Sequence, residues 1–192
     1  MKLTIGKKMA LGFGVVVVAL VVMSGVNYVN LSELHQLESE VGKRGDEAVA
    51  VQEMTGMGNK LYSIIADAII NRDLDAVQKE WATAKKELKD DVAALKKMMD
   101  HPDEVAWAND VEQSGLELVR LFEKELLPVL KQPKSGMTAQ RVAEIDEQID
   151  VQKAKMSNTC REIAASLQEE MHEAQEHFEE VSSATTTISI VI

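Results

Sequence analysis

Histidine and glutamate residues form the pattern in this sequence that comes nearest to a metal site. Glu169 and His172 have E-x-x-H spacing, which places both side chains on one helical face, and His35 and His177 are expected at a similar level. A di-iron bundle needs two such motifs and two further inward carboxylates, whereas only one motif is present. We therefore interpret His35, His172 and His177 as a solvated face, with metal or proton sensing as the alternative.

A second group of polar residues lies on two predicted long helices. Asn59, Lys60 and Tyr62 belong to the first helix, and Gln152 interrupts an apolar stripe of the last one. Antiparallel pairing of these helices places Asn59, Tyr62 and Gln152 at similar height, and a buried amide needs hydrogen-bond partners. These four residues are our candidate ligand-binding residues. The alternative is a satisfied core amide or an exposed one.

The sequence contains no pattern typical of an enzyme. Cys160 is the only cysteine, and "NTCREI" lacks the Cys-x-x-Cys-His spacing that attaches a c-type haem. We expect Cys160 to be a small core residue. A nucleophile beside a base, a glycine-rich phosphate loop and a zinc spacing are all missing from the sequence. We therefore expect neither catalysis nor a cofactor.

Composition favours helices and argues against nucleic acid as a partner. Aromatic residues make up 4% of the chain and there are only three Pro, a bias that favours helix over sheet. The net charge of −11 would repel the phosphates of DNA or RNA.

The stretch "MALGFGVVVVALVVMSGVNYV", residues 9–29, contains no charged residue. At about 1.5 Å per residue a helix of this length crosses the roughly 30 Å of a bilayer core. The rival interpretation is a signal peptide, whose apolar region is about 7 to 15 residues long. Lys2, Lys7 and Lys8 precede the stretch. The positive-inside rule therefore places residues 1–8 in the cytoplasm and residue 30 onward outside.

Three groups of helix-breaking residues divide the external part, residues 30–183, into four helices. The predicted helices are 30–71, 73–99, 102–131 and 138–183. Apolar residues recur along each. In the first helix they recur every seven residues, joined by Leu37, Val51 and Ile65, at Leu34, Val41, Ala48, Thr55, Tyr62 and Ile69. In the second helix they step by threes and fours, through Leu74, Val77, Trp81, Ala84, Leu88, Val92, Leu95 and Met99. Such stripes predict an all-α, antiparallel up-down four-helix bundle whose first and last helices continue into membrane segments. Pro128 is expected to bend the last turn of the third helix.

Residues 184–192, "ATTTISIVI", form a second apolar run. A membrane helix needs about 20 residues, so we expect this run to be the start of a second span, truncated in this chain.

Two stretches resemble a known family. "LTIGKKMALGFGVVVVALVVMSGV" is similar to the start of bacterial methyl-accepting chemotaxis receptors with a four-helix-bundle sensor, and "SIIADAIINRDLDAVQKEW" looks like their turn between the first two helices. The resemblance implies a periplasmic sensor domain anchored in the inner membrane. It also implies a homodimer formed through the first helices, a small-molecule ligand or periplasmic binding protein as partner, and a signal carried to a cytoplasmic domain by displacement of the last helix.

Some members of that family hold amino acids or organic acids with arginines on the first helix. This chain offers Lys60 and Arg72 in that region, and Arg72 falls in the turn, so no ligand residue is transferred from the family. Two alternative functions remain open from the sequence. One is the input domain of a sensor histidine kinase or diguanylate cyclase, and the other is a helical carrier of a metal or cofactor.

Overall fold

The structure, a computed structural model, describes residues 4–190, and this part of the chain contains helices and no strands. The all-α prediction is therefore confirmed. The helices are α1 (Ile5–Ile70), α2 (Leu74–Met98), α3 (Pro102–Arg120), a π-helix (Leu121–Leu126), α4 (Leu127–Leu130) and α5 (Gly136–Ile190). Residues 1–3 of the predicted cytoplasmic segment and residues 191–192 of the predicted second span lie outside the described residues.

The chain divides into two compact units. Residues 45–169 form one, here called the central unit, and residues 4–44 with residues 170–190 form the other, the terminal unit. Because α1 and α5 are continuous helices, each contributes residues to both units.

The core of the central unit is built from apolar stripes at helical spacing. In α2 the predicted stripe is buried from Val77 to Leu95. In α1 the buried line includes the predicted Val51 and Ile65, and it also runs through Met54, Leu61 and Ala68, which were not predicted. The predicted seven-residue repeat, which includes Thr55 and Tyr62, lies half-buried beside it. Thr55 and Tyr62 each lie one position after a buried residue, and successive residues differ by about 100° around a helix, so the repeat lies on the flank of the buried face.

Cross-helix contacts within the central unit fix the pairing of its helices. Lys85 of α2 contacts Glu123, and Lys96, further along α2, contacts Glu112, which comes earlier in the chain than Glu123. Helix α2 and the helical segment after residue 102 are therefore antiparallel. A Cβ added to Gly115 of α3 would lie 3.2 Å from Leu88 of α2. The glycine thus permits the close approach of these two helices.

The turn between α1 and α2 is held by side chains. Arg72 has φ of 56°, in the left-handed region that non-glycine residues seldom adopt. Its guanidinium Nη1 donates to the carbonyl oxygens of Leu130 and Gln132, at 3.4 and 3.3 Å. Asp73 then caps α2 by accepting a hydrogen bond from the N–H of Ala76 at 3.2 Å.

Helices α3 and α5 also begin at residues that suit a helix N-terminus. Pro102 begins α3, as its fixed φ favours. The last helix begins at Gly136, two residues before the predicted start, because the hydroxyl of Ser135 accepts the N–H of Thr138 at 3.1 Å. Ser135 therefore supplies the cap, and Thr138 lies in the first turn.

The predicted third helix, 102–131, is not a uniform α-helix. Leu121–Leu126 form a π-helix in which the N–H of Leu127 bonds to the carbonyl of Phe122, five residues back. Pro128 follows directly; it has no N–H, and its ring would collide with the carbonyl of residue 124 in a regular α-helix. The wider π-turn accommodates the proline. The bend of the last turn stays a prediction.

In the terminal unit α1 exposes a long apolar surface. Between residues 9 and 29 its exposed side chains include Phe13, Val15, Val18, Leu20 and Val22. This stretch belongs to a helix that is long and apolar enough to cross a membrane. Further along the same unit, the Asn30 side-chain amide donates to the Thr185 hydroxyl at 2.9 Å, which pairs α1 with α5.

Candidate functional site

A groove of about 470 Å³ lies between α1 and α2 in the central unit. Its floor is formed by Ile64 and Ala84, both buried. Lys60 and Glu80 bring opposite charges to its walls. The predicted ligand residue Lys60 also forms an ion pair with Glu87 of α2. The groove therefore presents both charges over an apolar floor.

Two hydroxyls complete the polar lining of this groove. Ser63 is exposed on α1, and the Thr83 hydroxyl donates to the carbonyl of Lys79 at 3.2 Å. Each hydroxyl retains acceptor lone pairs. The groove can therefore offer a small polar molecule the Glu80 carboxylate and two hydroxyl oxygens, with the Lys60 ammonium shared with Glu87.

Tyr62 faces α5 and not the groove. The ammonium of Lys153 lies 3.9 Å from the centroid of its ring, a cation–π contact. The phenol also interacts with the Asp146 carboxylate. Burial, followed by the nearby charges of Asp146 and Asp150, raises the pKa of Tyr62. This tyrosine is thus tied to α5 by a charged cluster.

Asp146 in this cluster is destabilised as an anion. Burial, and then the neighbouring charge of Asp150, raises the pKa of Asp146, although Tyr62 and Lys153 partly offset the effect. Burial disfavours the charged form of this carboxylate. Ionised Asp146 therefore lowers the stability of the folded protein.

The remaining predicted ligand residues are not gathered into one site. Asn59 is exposed on α1 and Gln152 is half-buried on α5. The side chain that reaches Tyr62 is Lys153, one position after Gln152. Successive residues differ by about 100° around a helix, so Gln152 and Lys153 leave α5 in different directions.

The three histidines are exposed in the terminal unit, and each lies near one carboxylate. His35 Nδ1 is 3.6 Å from Glu38, His172 Nε2 is 3.4 Å from Glu176, and His177 Nε2 is 3.7 Å from Glu33. Among residues 4–186, no histidine belongs to a set of three converging metal-ligand side chains. The structure therefore does not bring His35, His172 and His177 together.

Three further polar contacts, two of them made by Glu123, were not predicted from the sequence. Glu123 accepts hydrogen bonds from the Trp81 indole at 3.0 Å and from Lys85 at 2.7 Å. Burial alone would raise the pKa of Glu123, but these two hydrogen bonds outweigh it and lower the pKa. In the terminal unit, Arg44 Nε lies 2.7 Å from a carboxylate oxygen of Glu170, and both side chains are mostly buried.

Cys160 is buried, in agreement with the prediction of a core residue. Burial raises the pKa of its thiol to about 11, although a contact with Thr55 lowers it slightly. The thiolate is therefore scarce at neutral pH, and reactive thiol chemistry is disfavoured.

Comparison of the chain with protein-family models, with curated proteins and with solved structures finds no significant match.

Proposed function

We propose that this chain is the sensor region of a membrane-anchored chemoreceptor. The observation that carries the proposal is the apolar start of α1, whose side chains between residues 9 and 29 are exposed in the structure, apart from half-buried Met23 and Asn27. Exposed apolar surface of this length is unfavourable in water and favourable in lipid. Residues 9–29 then cross the inner membrane, and residues 30–183 form an external sensor.

The proposed sensor is an antiparallel up-down four-helix bundle. Contacts of α2 with the following helix support this arrangement, as do contacts of α1 with α5. A bundle of this kind buries its apolar stripes and exposes the charged faces. A receptor can use its surface for ligands while its two long helices connect the sensor to the membrane.

Homodimer formation is proposed through the outward face of α1. This face consists of exposed residues at spacings of three and four along α1: Val49, Gln52, Gly56, Asn59 and Ser63. Val49 is 60% exposed. A Cβ added to Gly56 would meet nothing within 4 Å. Small residues on such a face allow close contact with a second helix. Ser63 also lines the α1–α2 groove, so the same contact would cover that groove from one side.

The proposed ligand of the α1–α2 groove is a small polar molecule, alone or delivered by a binding protein. The ammonium of Lys60 and the carboxylate of Glu80 face the same space. A ligand bound there would contact both α1 and α2. Displacement of α5 relative to α1 is the proposed output.

An engineered disulfide tests this mechanism. Asn30→Cys with Thr185→Cys, in a Cys160→Ala background, replaces the 2.9 Å contact between α1 and α5. The chain is fused ahead of the cytoplasmic part of a chemotaxis receptor, and kinase activity is measured in membranes before and after oxidation. We expect oxidation to change kinase activity and reduction to restore it, because the disulfide prevents α5 from sliding.

Leu31→Cys in the same background is the matched control, since Leu31 is 68% exposed and a single thiol closes no bond within one chain. Quantitative disulfide formation with unchanged kinase activity would contradict signalling through α5.

A further inference from the structure

A second groove, of about 360 Å³, lies between α2 and α3 in the central unit. Its apolar lining includes Leu88 and Val92, which are buried, and Leu116, which is 55% exposed. Leu88 packs against Gly115, where no side chain intervenes. The floor of the groove is therefore fixed by the helix packing and does not depend on a ligand.

Lysines from α2 surround this apolar floor. Lys85, Lys86 and Lys89 all line the groove, and Glu112 is the acidic residue beside them. The lining therefore carries three lysines against one glutamate, in a chain with a net charge of −11. An excess of positive charge attracts an anion and disfavours a cation.

The existing ion pairs show how much of this charge is available. Lys85 binds Glu123 and Lys86 binds Asp90, both at 2.7 Å. Glu112 is paired with Lys96, which lies 2.8 Å away. Within the part of the chain that the structure describes, Lys89 forms no ion pair. One cation at the edge of the groove is thus left for a ligand.

We propose that the α2–α3 groove binds a small monoanion with an apolar body, such as an arylalkyl carboxylate. The apolar part would lie on Leu88, Val92 and Leu116, and the carboxylate would accept hydrogen bonds from the Lys89 ammonium. The volume lies at the lower end of the range for small-molecule sites, so one ring with a short chain fits better than a larger ligand. This groove is distinct from the α1–α2 groove because the two share no lining residue. Such a molecule would be a ligand of the proposed sensor, and only this biological role, not the binding itself, rests on the proposed function.

The test measures binding of 3-phenylpropanoate to the full chain in lipid nanodiscs by ligand-observed NMR, with empty nanodiscs as the blank. We expect saturable binding with a dissociation constant on the order of 0.1 to 1 mM, typical of so small a ligand. The neutral amide of the same acid should bind at least about threefold more weakly, because it cannot pair with an ammonium.

Matched variants locate the site. Lys89→Gln and Leu116→Gln should each weaken binding about fivefold. Lys79→Gln on α2 and Val105→Gln on α3 change similar exposed side chains outside the groove, and they should leave binding unchanged. Circular dichroism melting checks that each variant folds. If Leu116→Gln unfolds the protein, Lys89→Gln carries the test, since Lys89 is exposed.

Absence of saturable binding would overturn the inference. Equal affinity for acid and amide would overturn it too, and so would equal losses in the control variants. None of these results alters membrane insertion or the disulfide experiment, so failure here is distinguishable from failure of the proposed receptor function.

Discussion

Two arginines placed in the apolar part of α1 should release the protein from the membrane. The eleven Val, Leu and Phe side chains between residues 9 and 29 are all exposed in the structure. At about 0.3 to 0.6 kcal/mol each, they favour insertion by roughly 3 to 7 kcal/mol. Each arginine near the centre opposes insertion by about 2.5 to 3.5 kcal/mol. The double substitution Val18→Arg with Val22→Arg therefore cancels the favourable free energy of membrane insertion.

The assay compares the fraction of protein that stays in carbonate-washed membranes. Wild type should remain there, Val18→Arg alone should be partly retained, and the double variant should be lost from the membrane. Val49→Arg with Glu53→Arg is the control, because it places two arginines at the same spacing on exposed positions of α1 outside the stretch. Full retention of the double variant, or a soluble wild type, would show that residues 9–29 do not anchor the protein in the membrane.

Three substitutions in the central unit test the packing and the charges. Phe122→Ala should lower the free energy of unfolding by about 3 to 5 kcal/mol in urea denaturation, since the ring is buried and its centroid lies 4.3 Å from that of Trp81; a loss below about 1 kcal/mol would contradict this packing. The folded-state pKa of Asp146 lies above its ordinary 3.8, so wild-type stability should fall as pH rises through that pKa. Asp146→Asn should then stabilise the protein at pH 7 by about 0.5 to 1 kcal/mol and remove that dependence, and destabilisation at pH 7 would refute it. The folded-state pKa of Glu123 lies below its ordinary 4.5, so stability present above that value should be lost as pH falls through the folded pKa. Glu123→Gln should cost about 1 kcal/mol at pH 7 and show less acid sensitivity in denaturation curves, whereas an unchanged pH profile would count against the hydrogen bonds.

The sequence was most informative where one periodicity decides the structure. The α2 stripe was predicted correctly because its apolar residues step by threes and fours and its other face is charged. In α1 the apolar residues cover more than one face, and the heptad chosen from them passed through half-buried Tyr62 and missed buried Leu61. Periodicity alone does not select among several apolar lines.

The candidate sites were harder to predict because they depend on how neighbouring helices are rotated. Lys60 stood out as a cation on the first helix, but Glu80 and Thr83 are ordinary surface residues of α2 until the two helices pair. Tyr62 was placed at the correct height, yet its α5 partner is Lys153. The signal that was available was the coincidence of opposite charges at matching levels, Lys60 with Glu87 among them.

Labelling of single cysteines tests whether residues 9–29 cross a membrane, with the helices after them outside the cell or in the periplasm. In a Cys160→Ala background, Lys79→Cys on α2 and Lys7→Cys on α1 each place a thiol at an exposed position. A membrane-impermeant maleimide is applied to intact spheroplasts and to permeabilised ones. We predict that Lys79→Cys is labelled in both, and Lys7→Cys only after permeabilisation. Labelling of Lys7→Cys in intact spheroplasts, protection of Lys79→Cys, or a mature protein whose mass lacks residues 1–29 would contradict this topology.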